Sequence, residues 1–294
     1  MNEHEWWAQQ FEENHGHLRA VAYRMLGSLS EADDAVQEAW LRLSRSDAAG
    51  IENLGGWLTT VVARVCLDTL RSRASRREEA LEAQLSEPAA NRQRVSDPEH
   101  DALLADAVGI ALLVVLDRLT PAERIAFVLH DMFDVSFDEI ASIVGRSPSA
   151  ARQLASRARR RVQGAGTPSQ ADLNRQRQVV DAFLTALRGG DVEGLIAVLD
   201  PEVVVRVDEA AARPGAPREI RDAKTWAKGA VAFAQLAQSL QPMLVDGAVG
   251  LVWAPGGRLS RVLRFTITSG KIVDVDIIAD PARRRELDLA VLKE

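Results

Sequence analysis

The chain has 294 residues, 47% of them apolar and 27% charged, a size and composition suited to two or three soluble globular domains. Its formal charge of −6 argues against wholesale nucleic-acid binding, and its single cysteine, Cys66, excludes an intramolecular disulfide or a cysteine-rich zinc site. The longest uncharged apolar run, residues 107–116, is about half of the roughly 20 residues that cross a bilayer. The N-terminus opens on Asn2, Glu3, His4 and Glu5 without the pattern of an export signal, so no membrane association and a cytoplasmic location are expected.

The average charge hides clustering. Arg64, Arg71, Arg73, Arg76 and Arg77 fall in one stretch, and Arg146, Arg152, Arg157, Arg159, Arg160 and Arg161 in another. Every lysine lies at position 224 or beyond, so a DNA contact in the first two thirds must use arginine, the better fork for phosphate and guanine.

In chain order, Phe11, His15, Leu18, Val21, Ala22, Met25 and Leu26 recur at helical spacing up to Gly27. A second helix is expected after Ser30, read as its N-cap, with acids in its first turn and an end near Leu43. Residues 44–56 read as a loop, and a third helix starts near Trp57 and ends in the basic run to Arg77. Trp57, Val61, Val65 and Leu70 are its expected core face, with Arg64, Arg71 and Arg73 outward; Trp57 is read as core in preference to base stacking. Residues 78–102, with Pro88 and Pro98, read as a flexible linker between a first domain, 1–77, and a second, 103–163.

Two capping boxes, Thr120 with Glu123 and Ser136 with Glu139, mark helix starts in the second domain. The helices from Ser136 to Val144 and from Ser147 to Val162, joined by a turn containing Gly145, form a helix-turn-helix pattern. On the second of these, Ala151, Leu154, Ala155, Ala158 and Val162 make an inward stripe. Ser147, Ser149, Arg152, Gln153, Ser156, Arg157 and Arg160 lie opposite, as side-chain types that reach base edges and phosphates; the plainer alternative is a solvated basic helix. A second linker, 164–173, precedes residues 174–294. There, helices at 176–187, 192–199 and 223–237 and strands at 203–207, 243–253, 260–268 and 271–279 make an α+β unit, with turns at Gly256–Gly257 and Ser269–Gly270.

Three ordered segments carry a family resemblance. Asp33-Asp34-Ala35-Val36-Gln37-Glu38-Ala39-Trp40-Leu41-Arg42 resembles the polymerase-binding helix of extracytoplasmic-function sigma factors. The stretch from Trp57-Leu58-Thr59-Thr60 to Leu67-Asp68-Thr69-Leu70-Arg71 resembles their −10 helix, and 151–160 their −35 recognition helix. The resemblance implies two all-α sigma domains, region 2 and region 4, and core RNA polymerase (beta-prime clamp helices and beta flap) and promoter DNA as partners. It implies polymerase-binding roles for Asp33, Asp34, Gln37, Glu38 and Trp40, and −10 contacts from Asn53, Arg64, Arg71, Arg73, Arg76 and Arg77. Ser147, Ser149, Arg152, Gln153, Ser156, Arg157 and Arg160 take the −35 role. Arg64 stands where many such factors carry Asn.

The last domain resembles the SnoaL-like, NTF2-like cone, through Val180-Asp181-Ala182-Phe183-Leu184, Gly190-Asp191, the segment 195–199 and the closing strands. It has no His, Tyr or Cys; Asp208 and Asp276 are its candidate pocket acids. No catalytic residue, cofactor or metal is expected, and an unidentified small ligand in the pocket stays open. Its 17 acids against 17 bases over residues 171–294 give no third DNA footprint. By resemblance to a subgroup with this extension, Gly256, Gly257 and Arg258 and the tail from Asp280 and Pro281 are regulatory contacts, replacing a separate anti-sigma protein. The competing reading is a ligand-responsive helix-turn-helix regulator, which leaves the first 75 residues unexplained.

Overall fold

The computed structural model describes residues 3–45, 51, 53–83, 107–164, 169–212, 215 and 217–292. Backbone contacts divide the chain into two compact units, one of residues 1–104 with 116–159, the other of 105–115 with 160–294.

The described residues of the first unit are helices and connecting turns. Helices α1 (Glu3–Leu26), α2 (Leu29–Leu43) and α3 (Leu54–Ala83) pack on one another. Leu18, Val21, Ala22 and Met25 are fully buried at the spacing that puts four side chains on one helix face. In α2 the buried stripe is Ala32, Ala35, Val36, Ala39 and Leu43, whose three alanines allow close helix approach. Gly27 (φ +73°) ends α1 in a conformation that side chains disfavour.

Local details depart from the sequence reading. Helix α2 begins at Leu29 with Ser28 at the cap position, so Ser30, the expected cap, lies in the first turn. Helix α3 begins before Trp57 because the Asn53 side chain caps it, accepting the Gly56 N–H at 3.0 Å. A Cβ on Gly56 would fall 2.8 Å from Asn53 Nδ2, so glycine is what lets the cap fold back. The helix continues to Ala83, past the expected start of the linker; residues 84–102 of that linker lie outside the described residues. Its deepest stripe is Leu58, Val62, Cys66 and Leu67, about one residue round from the expected face, which leaves Trp57 and Val65 half-buried.

Helix α4 (Ala107–Leu116) belongs to the second unit up to Val115. Helix α5 (Pro121–Phe127), a π turn (Val128–Met132), α6 (Phe137–Val144) and most of α7 (Pro148–Gln163) belong to the first. Both expected capping boxes are present. Thr120 N–H donates to Glu123 at 3.2 Å while Glu123 N–H donates to the Thr120 hydroxyl at 3.4 Å, and Ser136 and Glu139 repeat the exchange at 3.2 and 3.3 Å.

The second unit is α+β, as expected. Helices α8 (Gln170–Gly189), α9 (Val192–Val198), α10 (Ala223–Ala230), α11 (Ala234–Ala237) and α12 (Pro281–Glu286) accompany one seven-stranded sheet. Its strands are β1 (Leu199–Val207), β2 (Glu219–Arg221), β3 (Leu240–Val245), β4 (Ala248–Trp253), β5 (Arg261–Thr268), β6 (Lys271–Ile278) and β7 (Leu289–Ala290), in the order β2-β1-β6-β5-β4-β3-β7. All neighbours are antiparallel except β1 and β6.

Helix α8 starts at Gln170 instead of Gln176, because the Ser169 hydroxyl accepts the Asp172 N–H at 3.2 Å and caps it. The run 243–253, expected as one strand, is a hairpin turned at Asp246 (φ +51°) and Gly247 (φ +78°), with Val245 opposite Ala248. Ser269 (φ +52°) and Gly270 (φ +76°) make the expected second turn in the same way.

Both sheet faces are buried. On one, Leu244, Leu251, Leu263, Phe265 and Val275 pack with Val180 and Phe183 of α8 and Trp226 of α10. On the other, Met243, Val245, Val252, Val262 and Ile278 pack with Ala111, Val114 and Val115 of α4. Phe183 stacks on Trp226 at 5.7 Å and meets Phe265 edge-on at 5.2 Å, filling the centre of the first face. Phe183→Ala is expected to cost about 3–5 kcal/mol. In denaturant titration that means a lower midpoint with an unchanged slope for the unit that holds it.

Candidate nucleic-acid and polymerase interface

Helix α7 is placed by its buried stripe. Ala151, Leu154, Ala155 and Ala158 are buried, Gly145 closes α6 in the left-handed conformation (φ +69°), and Ser147 caps α7 by accepting the Ala150 N–H at 3.2 Å. Ser147, Ser149, Arg152, Gln153, Ser156, Arg157 and Arg160 are all exposed.

These arginines are not equivalent. Arg152 lies over the Phe137 ring, 5.1 Å from its centre, which orients the guanidinium at the head of the helix. Arg157 donates to Glu123 at 3.1 Å, and that carboxylate is almost wholly buried. Arg159 is paired with Asp131 at 2.5 Å. Arg157 and Arg159 are therefore already engaged by acids of the fold, whereas Gln153 and Arg160 extend from the exposed side.

The acidic face of α2 carries Asp33, Asp34, Gln37, Glu38 and Trp40 in three settings. Asp33 accepts from Arg19 at 2.5 Å, which pushes the Arg19 guanidinium above its ordinary value, and Glu38 accepts from Arg42 at 2.9 Å. Trp40 is half-buried against Phe11, ring centres 5.0 Å apart. Asp34 and Gln37 are exposed, and Leu41 continues their face with 37% of its surface exposed. The sequence reading passed over Leu41 as a site residue, although its spacing of seven from Asp34 and four from Gln37 marks the same helix face.

The −10 candidates separate likewise. Arg64, Arg71 and Arg76 are exposed along α3, with Arg71 3.8 Å from Asp68 and Arg76 donating to the Ser72 carbonyl at 3.2 Å. Arg73 does not point outward: half-buried, it pairs with Glu31 and donates to the Leu26 carbonyl at 3.1 Å, tying α3 to the α1–α2 junction. Asn53 is the helix cap described above, and the Arg77 side chain lies outside the described residues. Asn14, His17, Gly55, Thr59, Phe133 and Glu139 line an open cavity of about 330 Å³ in the same unit, where His17 meets Phe133 edge-on at 5.4 Å. Cys66 is fully buried, which pushes its thiol up to about 12.

In the second unit, Gly256 (φ +58°) and Gly257 (φ +72°) form the turn between β4 and β5, and Arg258 is exposed. A Cβ on Gly257 would lie 3.2 Å from the Leu113 side chain of α4, so the turn rests on that helix. Asp280 caps α12 by accepting the Ala282 and Arg283 N–H groups, each at 2.9 Å, with Pro281 at the first position. Arg284 donates to the Ala279 and Leu259 carbonyls, and its burial lowers its pKa from the ordinary value. Asp208 accepts the Ala211, Ala279 and Asp280 N–H groups at 2.7–2.9 Å, and Asp276 pairs with Arg264 at 2.5 Å.

The two helical modules are those of the sigma-70 class. Residues 10–76 match the Sigma-70 region 2 family and residues 110–162 match Sigma-70, region 4. The ECF RNA polymerase sigma factor SigJ of Mycobacterium tuberculosis is 37% identical over 289 residues, covering 92% of this chain and 91% of that protein. The probable ECF RNA polymerase sigma factor SigI of the same species is 32% identical, covering 96% of each. The crystal structure of M. tuberculosis SigJ aligns with a TM-score of 0.45 and 33% identity over 93% of this chain and 96% of that one. The chain belongs to the extracytoplasmic-function sigma factors, which direct transcription by RNA polymerase. Membership implies binding to core RNA polymerase and promoter DNA. Among the described residues, no helix is long and apolar enough to cross a membrane.

Arg157→Ala should weaken duplex binding and also destabilise the fold by about 1 kcal/mol, since the half-exposed arginine leaves Glu123 with one partner fewer. Arg160→Ala should leave the fold's stability unchanged and weaken binding to all sequences alike, lowering the salt slope by about one. Thermal unfolding beside salt-dependent binding separates the two outcomes, and equal unfolding temperatures for both variants would contradict this division.

Proposed function

We propose that α2 docks on the beta-prime clamp helices of core polymerase through Asp34, Gln37, Glu38 and Leu41, with Asp33 and Trp40 shaping that face. Helix α3 then holds the melted −10 element by Arg64, Arg71, Arg76 and Arg77. Asn53 and Arg73 act by positioning, because their side chains already serve the fold. Helix α7 reads the −35 element: Arg152 and Gln153 contact base edges, Ser147, Ser149, Ser156 and Arg160 contact phosphate, and Arg157 contributes from its pair with Glu123. Region 4 also meets the beta flap. On this reading the protein works in the cytoplasm.

The last domain modulates this activity in cis, so that a separate anti-sigma protein is not required. The observation that carries this reading is the fit of Gly257 against Leu113, which joins the domain's turn to the first helix of region 4. Arg258, Asp280 and Pro281 hold the turn and tail in that setting. A non-enzymatic role is favoured because Asp208 and Asp276, the candidate pocket acids, are engaged by main-chain N–H groups and by Arg264.

Two measurements test the scheme. Arg152→Ala and Gln153→Ala should each cost about 1–3 kcal/mol in −35 binding and relax base preference at one position. Proteins shortened stepwise from Glu294, assayed for promoter-specific transcription with core polymerase, should differ in output; identical output from all that end after residue 165 would exclude cis control.

A further inference from the structure

The apolar run 107–116 has no task in promoter reading. Helix α4 is AVGIALLVVL, without a polar face, and a helix that is apolar all round must be covered all round. Ala111, Val114 and Val115 are 4%, 1% and 1% exposed, and they are packed into the second face of the sheet. The end of α7 comes back to the same face. Val162 packs on that cluster and its carbonyl accepts the Val291 N–H at 3.0 Å, while a Cβ on Gly164 would lie 2.9 Å from the Cβ of Ala290, which belongs to the cluster on the other face. The first helix and the last turn of the region 4 match, residues 110–162, are thus both fixed to one sheet surface.

We propose that the C-terminal domain is the base on which region 4 is built, with α4 staying docked on the sheet throughout initiation and the domain accompanying the −35 helix. This rests on the reading of region 4 given above and narrows how cis control can work. Withdrawing α4 would expose Met243, Val245, Val252, Val262 and Ile278 to water together with the helix's own valines, and α4 has no polar side to turn outward in exchange. A release switch needs two states of similar free energy, which this face does not offer. Control must then act where the domain leaves region 4 in place.

The full chain carrying Leu113→Cys and Gly257→Cys tests this. The Cβ positions, 3.2 Å apart, lie near the roughly 3.5–4.5 Å of a disulfide, and the native thiol, Cys66, is buried. We expect the pair to crosslink on mild oxidation. After removal of the oxidant, transcription with core polymerase, and binding to a duplex selected from a random pool by the unsubstituted chain, should match the reduced form within about two-fold. A crosslinked form that loses about ten-fold and regains it on reduction would show that α4 must leave the turn, overturning the proposal. Because Gly257 has positive φ, amide exchange on the unsubstituted chain supplies an independent measure. Residues 109–115 should be protected as strongly as β4 and β5; exchange in step with α6, and faster than the strands, overturns the proposal as well. If the unsubstituted chain directs no initiation, the sigma reading fails, while crosslinking and exchange still judge the base.

Discussion

A helix with no polar side is a demand that the rest of the chain has to meet. Helix α4 supplies ten consecutive residues without a charge or a hydrogen-bonding side chain, and the sheet answers with a second apolar face. An antiparallel sheet usually keeps one face for water and alternates accordingly. Here Met243 and Leu244, Leu251 and Val252, and Val262 and Leu263 are neighbours in sequence that face opposite clusters, so alternation disappears from β3, β4 and β5. The same demand explains why the compact units do not follow the order of the chain: the boundary falls inside α4, at Val115, and again inside α7, at Arg159.

A second constraint is the division of arginine between fold and ligand. Glu123 caps α5, accepts from Thr120 and takes Arg157, so a nearly buried carboxylate is satisfied by one neighbour in sequence and one residue 34 positions away. Isolated, that carboxylate would bear the desolvation cost of a buried charge. Arg157 therefore has a structural role before any DNA arrives, as does Arg73 at the α1–α2 junction. Arg152 is held differently, by a ring, which keeps its hydrogen-bonding edge available for a base.

What the sequence made legible follows from how local the signal was. Both capping boxes and the left-handed Gly145 are determined within four residues, and they stand as expected. The seven-stranded sheet was harder because its strands carry the doubly buried pattern, and 243–253 therefore read as one strand. The Asp246–Gly247 pair, a strong hairpin signal, was in plain view inside that run. Of the expected α3 face, Val61 and Leu70 are buried while Trp57 and Val65 are only half-buried, because Leu58, Val62 and Cys66 define the deepest stripe. The partners of Arg73, Arg157 and Arg159 lie 28 or more residues away along the chain, and no local rule predicts pairs at that separation. Leu41 was legible by helical spacing and was missed because exposed leucine is ordinarily unremarked.

The overall charge of −6 coexists with DNA recognition because charge acts locally. Helix α7 holds Arg152, Arg157, Arg159, Arg160 and Arg161 and no acid within its own sixteen residues. Salt at physiological strength screens exposed charges beyond about 8 Å, so acids elsewhere in the chain do little to the field at that surface. The acids close by, Glu123 and Asp131, each neutralise one arginine by direct contact, and they come from α5 and the π turn beneath the helix. On the proposed reading, what the phosphates meet is then set by Arg160 and the N-terminal end of α7, where Ser147 and Ser149 stand among N–H groups that favour an anion. The acidic surplus is left to surfaces such as α2, for which a protein partner is proposed.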